Sequence, residues 1–139
     1  MNSTYNVINS NIADAKDKIE DESVQLALTT AIYNKDENKE YTYQDYLKEM
    51  EDIFINSYSK IKQGGYFVLI VKDFRDLKNG QAYVEAHNDI ARLGQSAGFS
   101  YQDVIIYDHN ESRGLLLLGY PKIFYVNLNH SYIVVLRKN

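Results

Sequence analysis

Residues able to do chemistry are few in this chain and lie far apart. His87, His109 and His130 form no HxxxH or HxxE pattern of the kind that metal or acid–base sites use, so they read as structural or solvated imidazoles. His109 and Glu111 fall close together in a loop, a pairing that chance readily supplies. With no cysteine, thiolate metal sites and disulfides are excluded. In "KDFRD" (72–76), Lys72 and Arg75 follow an apolar run at the place where α/β proteins bind ligands. They could meet a phosphate, and a salt-bridged surface loop is the competing reading. "GLLLLGYP" (114–121) puts four leucines in a loop, which suits a partner surface or a buried strand edge equally well. The remaining stretch of interest is "SVQLALTTAIY" (23–33), an apolar run that enters a loop made of Thr30, Ala31, Ile32 and Tyr33.

The elements that must position these residues alternate between strand and helix. "YNVINS" (5–10) alternates as a short strand would, and "NIADAKDKI" offers Asn11 as a cap with Asp14 three residues on. "SVQLALT" has the continuous apolar character of a strand covered on both faces. Thr42 is placed to cap the longest helix. From Tyr43 through Tyr46, Leu47, Met50, Ile53, Phe54 and Tyr58 to Ile61, apolar residues repeat at three-and-four spacing until Gln63-Gly64-Gly65. "YFVLIVK" (66–72) is a second continuous strand, and "DFRDLKNG" (73–80) a loop ending in an Asn-Gly turn. The spacing predicts a helix from about Tyr83 to Ala97 with Gly98 as its left-handed cap, then strands at "QDVIIYD" and "SYIVVLRK". Strands joined by helices imply βαβ units and a mostly parallel sheet.

Composition bounds the function. The 139 residues suffice for one domain with its own core. Net charge is −4, and residues 1–60 carry twelve Asp+Glu against six Lys+Arg, while 61–139 carry seven against nine. Neither part has the basic face of a domain that grips nucleic-acid phosphates unaided. The 13 tyrosines suit a protein interface, and equally a biased codon usage. The first residues lack a basic, then apolar, leader pattern, and no apolar run reaches the roughly 18 residues of a membrane span. The expectation is a soluble protein of the cytoplasm with no membrane association.

Read in order, "DESVQLALTTAIY", "YTYQDYLKEMEDIFINSYSKIKQGGYFVLIVKDFR", "HNDIARLGQSAGF", "DVIIYD" and "LGYPKIFYVNLNHSYIVVLRK" resemble one family, over about residues 5 to 138. These are the DNA methyltransferases that modify exocyclic amino groups, adenine-N6 or cytosine-N4. The resemblance implies an α/β fold: a partial Rossmann-like methyltransferase sheet, mostly parallel with a terminal antiparallel strand and helices on both faces. In that family a loop of the form [Asp/Asn/Ser]-Pro-Pro-[Tyr/Phe/Trp] binds the target base. Its polar residue and a proline carbonyl accept hydrogen bonds from the amine, and its aromatic ring stacks on the extruded base.

Carried over, Thr30 takes the polar position and Tyr33 the aromatic one, so these two are the candidate catalytic residues of a degenerate motif. Ala31 and Ile32 replace both prolines, removing the fixed φ angles that hold such a loop in shape. Gln25 stands where the family usually has an acid. None of the seven glycines (Gly64, Gly65, Gly80, Gly94, Gly98, Gly114, Gly119) forms the strand–GxG–helix unit of an AdoMet site.

The expectation is therefore one methyltransferase-like domain over 1–139 that lacks the AdoMet-binding half. It would hold no cofactor in the isolated chain, and AdoMet only if a partner completes it. It would act by binding a protein partner or a second copy, as a phage or mobile-element regulator or inhibitor of a host nucleic-acid system. The other reading is half of a split DNA amino-methyltransferase. Direct nucleic-acid binding is disfavoured by charge.

Overall fold

Side-chain caps set the starts of the first two helices. The computed structural model describes residues 5–33, 40–109, 125–126 and 128–139. Asn11 accepts the Asp14 amide at 2.9 Å and opens a short helix α1 (Ile12–Ala15), which tightens into a 3₁₀ turn over Lys16–Lys18. Thr42 opens α2 (Tyr43–Tyr58) with a reciprocal box: its hydroxyl accepts the Asp45 amide at 3.2 Å, and the Asp45 carboxylate accepts the Thr42 amide at 2.8 Å. Residues 5–10 form no strand, and Tyr5 and Val7 are almost fully exposed. Alternation alone does not make a strand when no neighbour offers a ladder.

α2 ends earlier than its apolar spacing predicts. Ile61 continues the helical stripe in sequence but is buried from a strand, β2 (Ile61–Val71). β2 runs straight through Gly64-Gly65, which serve a bulge instead of a helix stop. Val24 pairs with Ile61 and Leu26 with Tyr66, so extra β2 residues loop out between them. Gly64 has φ of +76°, and a Cβ on Gly65 would sit 2.8 Å from the Ile61 side chain. The expected loop at 73–80 contains a hairpin, β3 (Phe74–Asp76) with β4 (Gln81–Val84), turned at Gly80 with φ of +77°. Tyr83 and Val84 are thus strand residues, and α3 (Ala86–Ser96) starts after them. Gly98 takes the left-handed conformation beyond it, as expected. β5 (Ser100–Asp108) and β6 (His130–Arg137) complete the main sheet. The loop with four leucines lies outside the described residues.

The sheet order is β1 (Val24–Thr30), β2, β6, β5. β1 and β2 are parallel, and β6 is antiparallel to β2 on one side and β5 on the other. Three strands therefore point one way, and the last in sequence runs against them. The α/β class and the terminal antiparallel strand agree with the sequence reading.

Helices were expected on both faces; among the described residues both long helices lie on one. The connections β1–α2–β2 and β2–α3–β5 progress in the same direction across the sheet, and right-handed crossovers in one direction keep their helices on one side. Under those helices, Phe67, Leu69, Val71, Val134 and Leu136 meet Met50, Phe54, Ile90 and Ala91, all nearly solvent-free. The Phe54 ring stands edge-on to Phe67 at 5.4 Å. Each of these side chains other than Ala91 contributes about 1.5–3 kcal/mol by burial. On the opposite face Leu26 and Leu28 are exposed and Val68, Ile70, Ile133 and Val135 half-buried.

Candidate functional site

The C-terminal ends of β1 and β2 bring the loop Thr30–Tyr33 beside Lys72–Arg75. The ladder extends one residue beyond β1, where the Ala31 amide donates to the Ile70 carbonyl at 2.8 Å. Ala31 is buried, and its own carbonyl accepts the Tyr46 phenol at 2.5 Å. That carbonyl belongs to one of the two positions filled by proline in the methyltransferase loop, and it is already engaged from within the chain.

Tyr33 is half-buried in an aromatic cluster. Its ring lies 5.0 Å from Phe74, 5.4 Å from Tyr43, 5.4 Å from Tyr46 and 6.1 Å from Tyr41, and its phenol donates to the Tyr41 carbonyl at 3.3 Å. Burial, then the carboxylates of Asp76 and Asp45, push the Tyr33 phenol above its ordinary value. Burial also raises the phenols of Tyr43 and Tyr46, helped in Tyr43 by its hydrogen bond to Asp89. All these hydroxyls are neutral donors near pH 7.

Thr30 is exposed, and its hydroxyl makes no hydrogen bond among the described residues. It lines a cleft between α1, β1 and α2, whereas Tyr33 lines a pocket of about 260 Å³ with Ile32, Lys72, Asp73, Phe74 and Arg75. The two residues named from the sequence are neighbours in the chain that serve different depressions.

Arg75 is spent on structure. Its guanidinium donates to the Ala82 carbonyl at 2.7 Å and the Val126 carbonyl at 2.8 Å, with the rings of Tyr83 and Tyr125 within cation–π range. Lys72 has no hydrogen-bond or ion-pair partner among the described residues, whereas two nitrogens of the Arg75 guanidinium are already held by backbone carbonyls.

The sequence reading passed over Asp73, which is 2 % exposed. Its carboxylate accepts the His87 amide at 3.0 Å, the His87 Nδ1 at 2.8 Å and the Tyr83 phenol at 2.8 Å. It therefore caps α3 from a distance, satisfying an otherwise unpaired amide in the first turn. An acid immediately after an apolar strand was the available signal. The His87 ring stacks on Tyr132 at 3.8 Å. His130 Nε2 bonds the Tyr132 hydroxyl at 3.1 Å, and His109 Nε2 bonds Ser131 at 2.7 Å. All three histidines thus have structural partners, and no metal cluster forms among the described residues.

AdoMet is the cofactor that the fold implies, and the described glycines do not fit it. Gly64 serves a bulge, Gly80 a hairpin turn and Gly98 a helix cap, while Gly65 and Gly94 sit where a Cβ would strike Ile61 and Leu136. None lies in a turn from a strand into the N-terminus of a helix.

No protein-family model and no curated protein sequence matches the chain. Solved structures do match it. A protein from Thermus thermophilus assigned as a DNA modification methylase, complexed with S-adenosyl-L-methionine, superposes with a TM-score of 0.73 at 19% identity, covering 91% of this chain and 52% of that one. PvuII DNA methyltransferase, cytosine-N4-specific, gives 0.71 at 17% identity over 89% of this chain and 45% of its own. A SAM-dependent methyltransferase from Archaeoglobus fulgidus gives 0.56 at 13% identity, over 96% and 68%. The fold is therefore that of the DNA methyltransferase structures, and the chain spans about half the length of the first of them.

Proposed function

We propose that this chain is a methyltransferase-fold domain that works by binding another macromolecule and does not itself transfer a methyl group. The state of the loop after β1 carries this reading. The Tyr33 ring packs against four other rings and the Ala31 carbonyl already accepts the Tyr46 hydroxyl, so the ring is held from within the chain and an amine acceptor is engaged internally. With alanine and isoleucine in place of the prolines, nothing in Thr30–Tyr33 preorganises a second arrangement. Residues 1–139 would form one methyltransferase-like domain that acts in the cytoplasm on a protein partner or a second copy. As a remnant reused by a phage or other mobile element, it would regulate or inhibit a host nucleic-acid system. No described helix is long and apolar enough to cross a membrane.

The test is transfer of labelled methyl from AdoMet to DNA, with calorimetry of AdoMet binding alongside. The expected result is no label and a Kd weaker than about 100 μM. Labelled DNA from the chain alone would overturn the reading. A second reading, half of a split amino-methyltransferase, is favoured by one observation: Thr30, at the polar position of the motif, is exposed and its hydroxyl makes no hydrogen bond among the described residues. Label appearing only when an AdoMet-binding half is added, and lost in Tyr33→Ala and Thr30→Ala, would establish that reading.

A further inference from the structure

Along β5, Val104, Ile105, Ile106 and Tyr107 stand 39%, 52%, 57% and 55% exposed, four large side chains in a row on a strand at the end of the sheet order. They divide between the two faces of the sheet. Val104 pairs with Val134 and Ile106 with Tyr132, whose ring lies on His87 of α3, so these two belong to the helix face. Ile105 and Tyr107, opposite Ile133 and Ser131, belong to the other. The backbone alternates in the same way. The His109 amide donates inward to the Asn129 carbonyl at 2.9 Å, so odd-numbered residues bond β6 and even-numbered ones turn their N–H and C=O groups outward. The Val104 amide accordingly points away from β6, and it donates to the Asp103 carboxylate at 2.8 Å.

We infer that two copies of this chain join edge to edge through β5, antiparallel and centred on Ile105. Val104 of each copy then meets Ile106 of the other as a hydrogen-bonded pair, closing the outward N–H and C=O groups of both residues. Ile105 lies opposite Ile105 of the second copy, and Asp103 opposite its Tyr107, as non-hydrogen-bonded pairs, whose side chains approach most closely. The Asp103 carboxylate gives up the Val104 amide to the new ladder and gains the Tyr107 phenol of the second copy as its donor. The exchange leaves each of these polar groups supplied.

The second copy is the occupant that the strand's own sequence fits. Apolar side chains exposed on both faces of one strand are covered by extending the sheet, because an added strand continues both faces at once, whereas a helix or a groove would cover one. The stretch "DVIIY" (103–107), set against itself in the opposite direction, places aliphatic beside aliphatic and a carboxylate beside a phenol, with no acid facing an acid. On the helix face the exposure of Val104 and Ile106 shows that α3 leaves this part of the edge clear, so it does not obstruct a twofold axis through Ile105. The inference deepens the binding reading by choosing the second copy and naming its surface, and it is independent of whether a methyl group is ever transferred.

Sedimentation of the purified chain over a concentration series is the test, with variants of the residue that would face its own copy. Expected is a reversible two-chain species at about 100 μM protein or below, lost in Ile105→Lys and in Ile105→Glu and restored when those two variants are mixed. Ile55→Lys, at a comparably exposed position on α2 (58%), should leave it intact. Ile105 is 52% exposed, so circular dichroism should show its variants folded. The chain has no cysteine, so Ile105→Cys should give a disulfide-linked pair on oxidation, because opposed residues of a non-hydrogen-bonded pair fall within disulfide reach. A wild-type chain that stays single at that concentration, a two-chain species that Ile105→Lys does not dissolve or that Ile55→Lys does, or no recovery on mixing would each overturn the inference. A failure here leaves the absence of methyl transfer standing, and labelled DNA in the transfer assay would leave the pairing standing.

Discussion

The Tyr46 phenol donates to the Ala31 carbonyl at 2.5 Å, and both residues are almost completely buried, at 5% and 4% exposure. This bond ties α2 to the end of β1 at the point where a methyltransferase loop would begin to face its base. Tyr46→Phe keeps the ring and removes the donor, leaving a buried carbonyl short of a partner. The expected loss is about 1–3 kcal/mol, read as a lower urea midpoint with unchanged slope. An unchanged midpoint would mean that water satisfies the carbonyl.

Tyr33→Ala separates a structural ring from one held ready for a ligand. Four aromatic neighbours within 6.1 Å imply packing energy, since each good ring pair is worth about 0.5–1.5 kcal/mol beyond burial. The variant should lose about 2 kcal/mol or more of stability by the same accounting. A loss below about 0.5 kcal/mol, the usual range for surface substitutions, would place the ring in solvent and favour the split-enzyme reading.

Asp73 should be graded by how many donors its replacement can serve. Asp73→Ala strands the His87 amide, the His87 ring and the Tyr83 phenol, and should cost about 3 kcal/mol or more. Asp73→Asn keeps one acceptor oxygen and should cost visibly less. Thermal unfolding of both variants checks the order, and equal losses would deny Asp73 its capping role.

Alkaline pH should unfold the protein through its tyrosines. The Tyr33, Tyr43, Tyr46 and Tyr83 phenols are raised above the ordinary value of 10.0, chiefly by burial. The folded state keeps protons that the unfolded chain releases. The stabilisation is therefore complete below about pH 10 and is lost as pH rises toward the folded values. Tyrosinate absorbance and circular dichroism should change together for these residues. Full ionisation with the helical signal intact would contradict the burial of the cluster.

Local elements were legible in the sequence wherever a short-range rule governed them. Thr42 with Asp45, Asn11 with Asp14, the Asn79-Gly80 turn and the Gly98 cap each depend on contacts within a few residues, and each formed where its pattern stood. The apolar runs at 24–30 and 66–71 also became strands, and their order carried the methyltransferase fold. Ile61 shows where periodicity fails, because one more apolar residue at helical spacing can equally begin a buried strand, and only pairing with Val24 decides. Tertiary structure alone decided the condition of the loop after β1. Nothing in "TTAIY" indicates that Tyr46, fifteen residues on, would take the Ala31 carbonyl, or that Tyr41, Tyr43 and Phe74 would close around Tyr33. Nor does "KDFRD" show Asp73 gathering His87 and Tyr83 while Arg75 turns to backbone carbonyls. Each of these contacts joins residues of different elements, so it forms only once those elements have packed: the β3–β4 hairpin for Arg75 and Tyr83, and the crossover helices for Tyr46 and His87.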